Sequence, residues 1–156
     1  MKKSLLALLN AVFFLLFFSF SMHAEEPFKC TSHYKTYIEK DHDFTLFDGR
    51  LTLFLKNEHE GFFGLVGKVK TNENSYLLSR TAYFTLDPQE INQVKQANIV
   101  KVAKHPSDIT PENIWLADIL PQLPGIDFQI EIWRLKDNLM LVKSLNTGYL
   151  ICAAER

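Results

Sequence analysis

The chain is poor in the residues that usually announce a function. Its 156 residues include two cysteines, two tryptophans, six glycines and six prolines, and its charge is nearly balanced. Two cysteines leave room for one disulfide or two thiols and nothing more elaborate. Glycine and proline are too sparse to form a linker, and no internal repeat or low-complexity stretch appears. No basic cluster exists to bind nucleic acid directly. A Gly-x-Ser-x-Gly elbow, a phosphate loop and paired catalytic carboxylates are all missing, so the expectation is a protein that is not an enzyme. The five histidines are His23, His33, His42, His59 and His105. His42 and His59 each lie between two acidic residues, but neighbours on a strand point to opposite faces. None of the spacings matches a metal motif. No metal and no cofactor are expected.

What the chain does have is an apolar opening. Lys2 and Lys3 precede a run from Leu5 to Phe20, and Ser21, Met22, His23 and Ala24 follow it. A signal peptide combines a positive start, an apolar stretch of about 7–15 residues and a small residue before the cut. Ala24 fits that last place, although Met22 is larger than usual. A retained anchor needs about 20 apolar residues, which residues 4-24 nearly supply. Residues 1-24 are therefore read as either a signal peptide or a single transmembrane anchor. Both readings keep Lys2 and Lys3 in the cytoplasm and send Glu25 onward outside. Residues 25-156 form one exported domain of 132 residues with a formal charge of −3 once both lysines are set aside. In a bacterium this means the periplasm, with the domain tethered to the inner membrane or, if cut after Ala24, soluble.

In an oxidising compartment the default for Cys30 and Cys152 is a disulfide. With 121 residues between them, chain-entropy arguments assign the bridge about 4–5 kcal/mol. The alternative, a thiol nucleophile, needs a Cys–His signature that is not present.

The exported part reads as strands. Phe28 to Ile38 alternates, with Phe28, Cys30, Tyr34 and Ile38 on one face and Lys29, Thr31, His33 and Lys35 on the other. Leu51, Leu53 and Leu55 alternate in the next strand, and Asn57 to Gly61 reads as a hairpin connection. Phe63, Leu65 and Val69 share a face of a third strand, in which Gly64 and Gly67 suggest a bend or bulge. Tyr76 to Leu86 is the longest candidate strand and ends at Asp87-Pro88. Ile91 to Lys104 begins ambiguously and ends as strand. Thr110, Pro111 and Glu112 read as a helix start, with Thr110 as cap; Pro121 and Pro124 keep that helix short. Ile126 to Leu135, Leu139 to Leu145 and Tyr149 to Ala153 return to strand. The fold class is mainly β: seven or eight antiparallel strands in a curved sheet or small barrel, with one short helix. A barrel of this size either fills with side chains or holds one small ligand.

Arg80 is the oddly placed charge. It shares its strand face with Tyr76, Leu78, Ala82, Phe84 and Leu86, so its guanidinium points to the apolar side. A buried Arg must be paired or fully hydrogen-bonded. Three readings stand: a structural pair, a bulge that turns it to solvent, or a ligand or partner contact through its fork of donors.

Taken in order, several short stretches make the chain resemble the FidL-like family of bacterial membrane proteins. They are the Lys2-Lys3 start with its apolar run, Cys30, Phe47-Asp48-Gly49-Arg50-Leu51-Thr52-Leu53 and Gly61-Phe62-Phe63-Gly64-Leu65-Val66-Gly67. Leu78-Ser79-Arg80, Asp108-Ile109-Thr110-Pro111-Glu112, Ile132-Trp133-Arg134-Leu135 and Leu150-Ile151-Cys152 complete the set. The resemblance implies a retained membrane helix and a periplasmic companion of a membrane-bound winged-helix transcription regulator, in the manner of ToxS beside ToxR or VtrC beside VtrA. It implies a lipocalin-like barrel that the regulator completes through an unpaired strand edge, with a pocket for a small amphipathic ligand such as a bile salt. No individual ligand residue carries over. The alternative is a stand-alone periplasmic carrier of a small apolar molecule.

Overall fold

The structure, a computed structural model, describes residues 27–87, 93–136, 138–144 and 148–154. The leader read in residues 1-24 lies outside them. Among the described residues no helix is long and apolar enough to cross a membrane. Eight strands follow one another around a closed antiparallel barrel, each paired with its sequence neighbour. They are β1 (Phe28–Lys40), β2 (Asp43–Leu55), β3 (Glu60–Thr71), β4 (Ser75–Leu86), β5 (Val94–Lys104), β6 (Asp127–Lys136), β7 (Leu139–Ser144) and β8 (Gly148–Ala154). A short helix α1 (Glu112–Ile114), continued by a wide π turn over Trp115–Ile119, lies between β5 and β6.

The period-two patterns fall on the faces they predict. Cys30 on β1, Leu53 on β2 and Leu65 and Val69 on β3 are buried inside the barrel. On β4, Leu78, Arg80, Ala82, Phe84 and Leu86 are all buried. Two apolar clusters stack along the axis. The lower one gathers Cys30, Leu53, Phe84, Ile130, Met140 and Cys152. The upper one gathers Phe47, Leu65, Val69, Leu78, Ile99 and Trp115. Each large side chain so buried contributes about 1.5–3 kcal/mol.

The strands are of unequal length, and this shapes the molecule. β1 and β2 have 13 residues each, whereas β7 has 6 and β8 has 7. The short strands cover only the lower half. Over the upper half, the 112–119 turn packs into the sheet with Trp115 only 1% exposed. Lys40 holds it from β1 through Asp118 (2.6 Å), and Thr45 on β2 donates to the same carboxylate (2.8 Å).

Three sequence expectations need correction. β4, at 12 residues, is not the longest strand, because β1 and β2 extend past the apolar patterns into their polar turns. Gly64 and Gly67 make no bulge: β3 pairs without interruption with β2 and β4 through both positions. The irregularities lie instead at Tyr83/Phe84 and Arg134/Lys136. Thr110 is not the helix cap. Pro111 occupies the cap position without a side-chain bond, and helical residues begin at Glu112. The Thr110 hydroxyl donates to the Leu77 carbonyl (3.0 Å), a partner on β4 that outcompetes its own helix end.

Gly67 has a different use. It pairs with Gly49 on β2, where the strands come close. A Cβ on Gly67 would collide with the Asp48 carbonyl oxygen and lie 2.6 Å from the Gly49 Cα. A Cβ on Gly64 would meet nothing nearer than 3.9 Å. Gly67→Ala should therefore lower the thermal midpoint in a circular-dichroism melt, with a cost of about 1–3 kcal/mol. Gly64→Ala should leave it level or raise it slightly. Equal melting of the two variants would contradict this reading of the close approach.

Candidate functional site

Two features stand out once the strands are in place: a buried ion cluster and an apolar cavity beside an incomplete seam. The cluster is built where β4 outruns β5. The β4–β5 ladder runs from Leu86 only as far as Arg80, so the end of β4 needs other partners. The loop after β5 provides them. His105 N donates to the Ser79 carbonyl (2.9 Å) and Ile109 N to the Leu77 carbonyl (3.0 Å). Asp108 accepts from Ser79 N (2.8 Å) and Thr110 N (3.0 Å).

Arg80 completes the arrangement. Its Nε donates to Asp108 Oδ2 (3.1 Å), Nη2 to the Thr110 carbonyl (2.7 Å) and Nη1 to Glu112 Oε2 (2.6 Å). The guanidinium carbon lies 4.9 Å from the Trp115 ring centroid. Both Arg80 and Asp108 are buried. Burial pushes the Asp108 carboxyl up, but the bonds from Arg80, Ser79 and Thr110, with the Arg80 charge, outweigh it and hold the group below its usual value. The contacts of Arg80 are thus within its own chain, and it is not among the residues that line the cavity.

The seam lies between β1 and β8. Among the described residues, Cys30 with Ala154 and Thr31 with Ala153 form its ladder. The Cys30–Cys152 disulfide joins the same two strands at this point, with the Cα atoms 5.5 Å apart. Higher on β1, from Lys35 to Lys40, the edge opposite β2 has no ladder partner among the described residues.

Behind the seam is a cavity of about 120 Å³. Its walls are largely apolar and include Leu51, Phe63, Phe84, Phe128 and Val142. Tyr34 on one side of the seam, and Tyr149 and Leu150 on the other, belong to its lining. Burial pushes the Tyr34 phenol above its ordinary value, while a hydrogen bond with Thr36 pulls it back. Gln122, from the segment after the π turn, is the polar residue that sequence reasoning missed. It lines the cavity, is 6% exposed, and its buried Nε2 has no hydrogen-bond partner among the described residues. No local signal marks it, since a glutamine between Pro121 and Pro124 reads as a solvated loop.

A second depression of about 560 Å³ lies between the β1–β2 and β3–β4 hairpins and α1. Four carboxylates line it, and two of them are engaged: Asp118 with Lys40 and Thr45, and Asp43 with Asn72 (3.0 Å). Among the described residues no three His, Cys, Asp or Glu side chains converge as metal ligands.

The cluster and the seam can each be tested by substitution. Arg80→Leu strands a buried carboxylate and should cost about 3–5 kcal/mol, with part recovered in the Arg80→Leu/Asp108→Leu double variant. Because folding lowers the Asp108 value, its contribution is present above the unfolded value, about 3.9. It is lost as pH falls from there through the folded value. Asp108→Asn should therefore flatten the acid limb of melting temperature against pH; an unchanged limb would assign it to other carboxylates. The Cys30→Ser/Cys152→Ser variant should melt lower, by up to about 4–5 kcal/mol, and lose amide protection first at Thr31 and Ala153. Unchanged melting would show that the bridge does not hold the seam.

No curated protein matches the chain. A family model does, over residues 67–152, from the end of β3 to the second cysteine. The matched span contains Arg80, Asp108, Gln122 and Cys152 but not Cys30 or the apolar opening. It covers more than half of the chain, and the chain belongs to the FidL-like putative membrane protein family.

Proposed function

We propose that this chain works by binding and not by catalysis, as the periplasmic companion of a membrane-bound winged-helix transcription regulator. The observation that carries the reading is the seam. A β1–β8 ladder of two residue pairs among the described residues leaves the far end of β1, Lys35 to Lys40, as an edge that a strand from another chain can join. Strand addition draws affinity from main-chain bonds and selectivity from alternating side chains. An uncovered edge of this length is otherwise an aggregation hazard.

The outer surface beside the seam fits a partner as well. Trp133, Leu141 and Ile151 are cross-strand neighbours on β6, β7 and β8. Trp133 is 40% and Ile151 54% exposed, and Tyr149 next to them is 65% exposed. A strand docked on β1 would bring its own side chains beside this apolar row. The proposed orientation places the barrel in the periplasm, with residues 1-24 holding it to the inner membrane. In this reading a bile-salt-sized amphiphile enters only when the partner widens the seam, because pockets for drug-sized ligands measure about 300–1,000 Å³ and this cavity is far smaller.

The test is co-expression of the full chain with the periplasmic part of a regulator encoded beside it. We expect co-purification, and cross-links from cysteines placed at Thr36 or Tyr37 to one strand of the partner. A full chain that stays monomeric beside every such regulator, or that cross-links only through its opposite face at β3 and β4, would contradict the proposal. An intact Met1 in the membrane fraction is expected. A mature chain beginning at Glu25 in the soluble fraction would favour the stand-alone carrier.

A further inference from the structure

We infer that the cavity behind the seam is a binding site for a small neutral molecule of roughly benzene size that carries one hydrogen-bond acceptor, and that Gln122 recognises this acceptor. The site lies within the single chain, so the inference stands whether or not the companion reading holds.

Three observations carry it. The first is size. An engineered apolar cavity of about 150 Å³ admits benzene, and this one measures about 120 Å³. The volume suits one small ring or a short branched chain; it excludes a steroid. The second is the lining. Leu51, Phe63, Phe84, Phe128 and Val142 offer only apolar contact, so a charged ligand would lose its hydration without compensation.

The third is Gln122. A buried amide N–H without a partner costs about 1–3 kcal/mol, and such groups are rare in folded proteins. A buried water needs two to four polar partners. Beside Gln122 the lining holds the hydroxyl-bearing Tyr34, Ser144 and Tyr149 among otherwise apolar walls, so water is the competing occupant that the experiment must separate. An acceptor on an apolar body satisfies the amide and fills the void together. The lining reaches the seam, where Tyr34 on β1 and Tyr149 and Leu150 on β8 contribute to the wall.

The experiment uses the full chain in lipid nanodiscs with labelled Ile, Leu and Val methyl groups. Two probes of nearly equal shape are titrated: cyclohexanone, which has a carbonyl acceptor, and methylenecyclohexane, which has none. We expect saturable shifts at the Leu51, Ile130 and Val142 methyls, with cyclohexanone bound several-fold more tightly. Gln122→Leu should abolish this preference while methylenecyclohexane still binds. Val142→Phe, which fills the space, should remove saturable binding of both. Equal affinities in the unaltered protein, a preference that survives Gln122→Leu, or shifts that grow linearly without saturation would each overturn the inference. If neither probe binds but a tightly held water appears at Gln122, the cavity is a hydration site and the inference fails. Loss of regulator pairing in the companion test would leave these results unaffected.

Discussion

Closing a ring of eight strands requires the first and last to meet, and among the described residues they meet at two residue pairs. Cys30 lies opposite Ala154 and Thr31 opposite Ala153, and the disulfide to Cys152 sits beside them. Much else follows from that narrow junction. The 13-residue β1 cannot be matched along its length by the 7-residue β8. Below the junction the barrel holds a filled core around the two cysteines. Above it the sheet parts and a cavity remains. The bridge limits how far the first and last strands separate in the unfolded chain, and its loop spans nearly the whole domain.

The opposite side of the barrel has the same problem with another solution. β4 rises beyond the reach of β5, and the loop from His105 to Thr110 takes the place of a ladder. Asp108 is central because one carboxylate serves two backbone N–H groups and the Arg80 guanidinium. An arginine buried on an apolar face is tolerable only with such a set of acceptors. Trp115, stacked over the guanidinium, ties the cluster to the upper core. The 112–119 turn is thereby fixed over the open end, and the segment that follows delivers Gln122 to the cavity.

Much of this was legible in the chain itself. Period-two alternation located the strands and their inward faces, and it placed Arg80 among apolar neighbours before any partner was known. The two cysteines implied the bridge. The remainder depends on contacts between residues far apart in sequence. Gly67 looked like a bulge because its partner, Gly49, is on another strand. Thr110 looked like a cap because local rules do not know that the Leu77 carbonyl is within reach. Neither the length of the β1–β8 ladder nor the cavity has any local signature, and Gln122 acquires meaning only once the cavity exists.

The functional account joins the two ends of this logic: a seam incomplete enough to accept a partner strand, and a space behind it shaped for a small ligand. Its central claim is that β1 is zipped to β8 only at its base. Site-resolved amide hydrogen exchange along β1 of the unpartnered full chain tests this most directly. The account predicts protection that alternates from Lys35 to Lys40, slow where the N–H faces β2 and fast where it faces the seam, with unbroken protection at Cys30 and Thr31. Uniformly slow exchange along the whole of β1 would show a closed edge and contradict it.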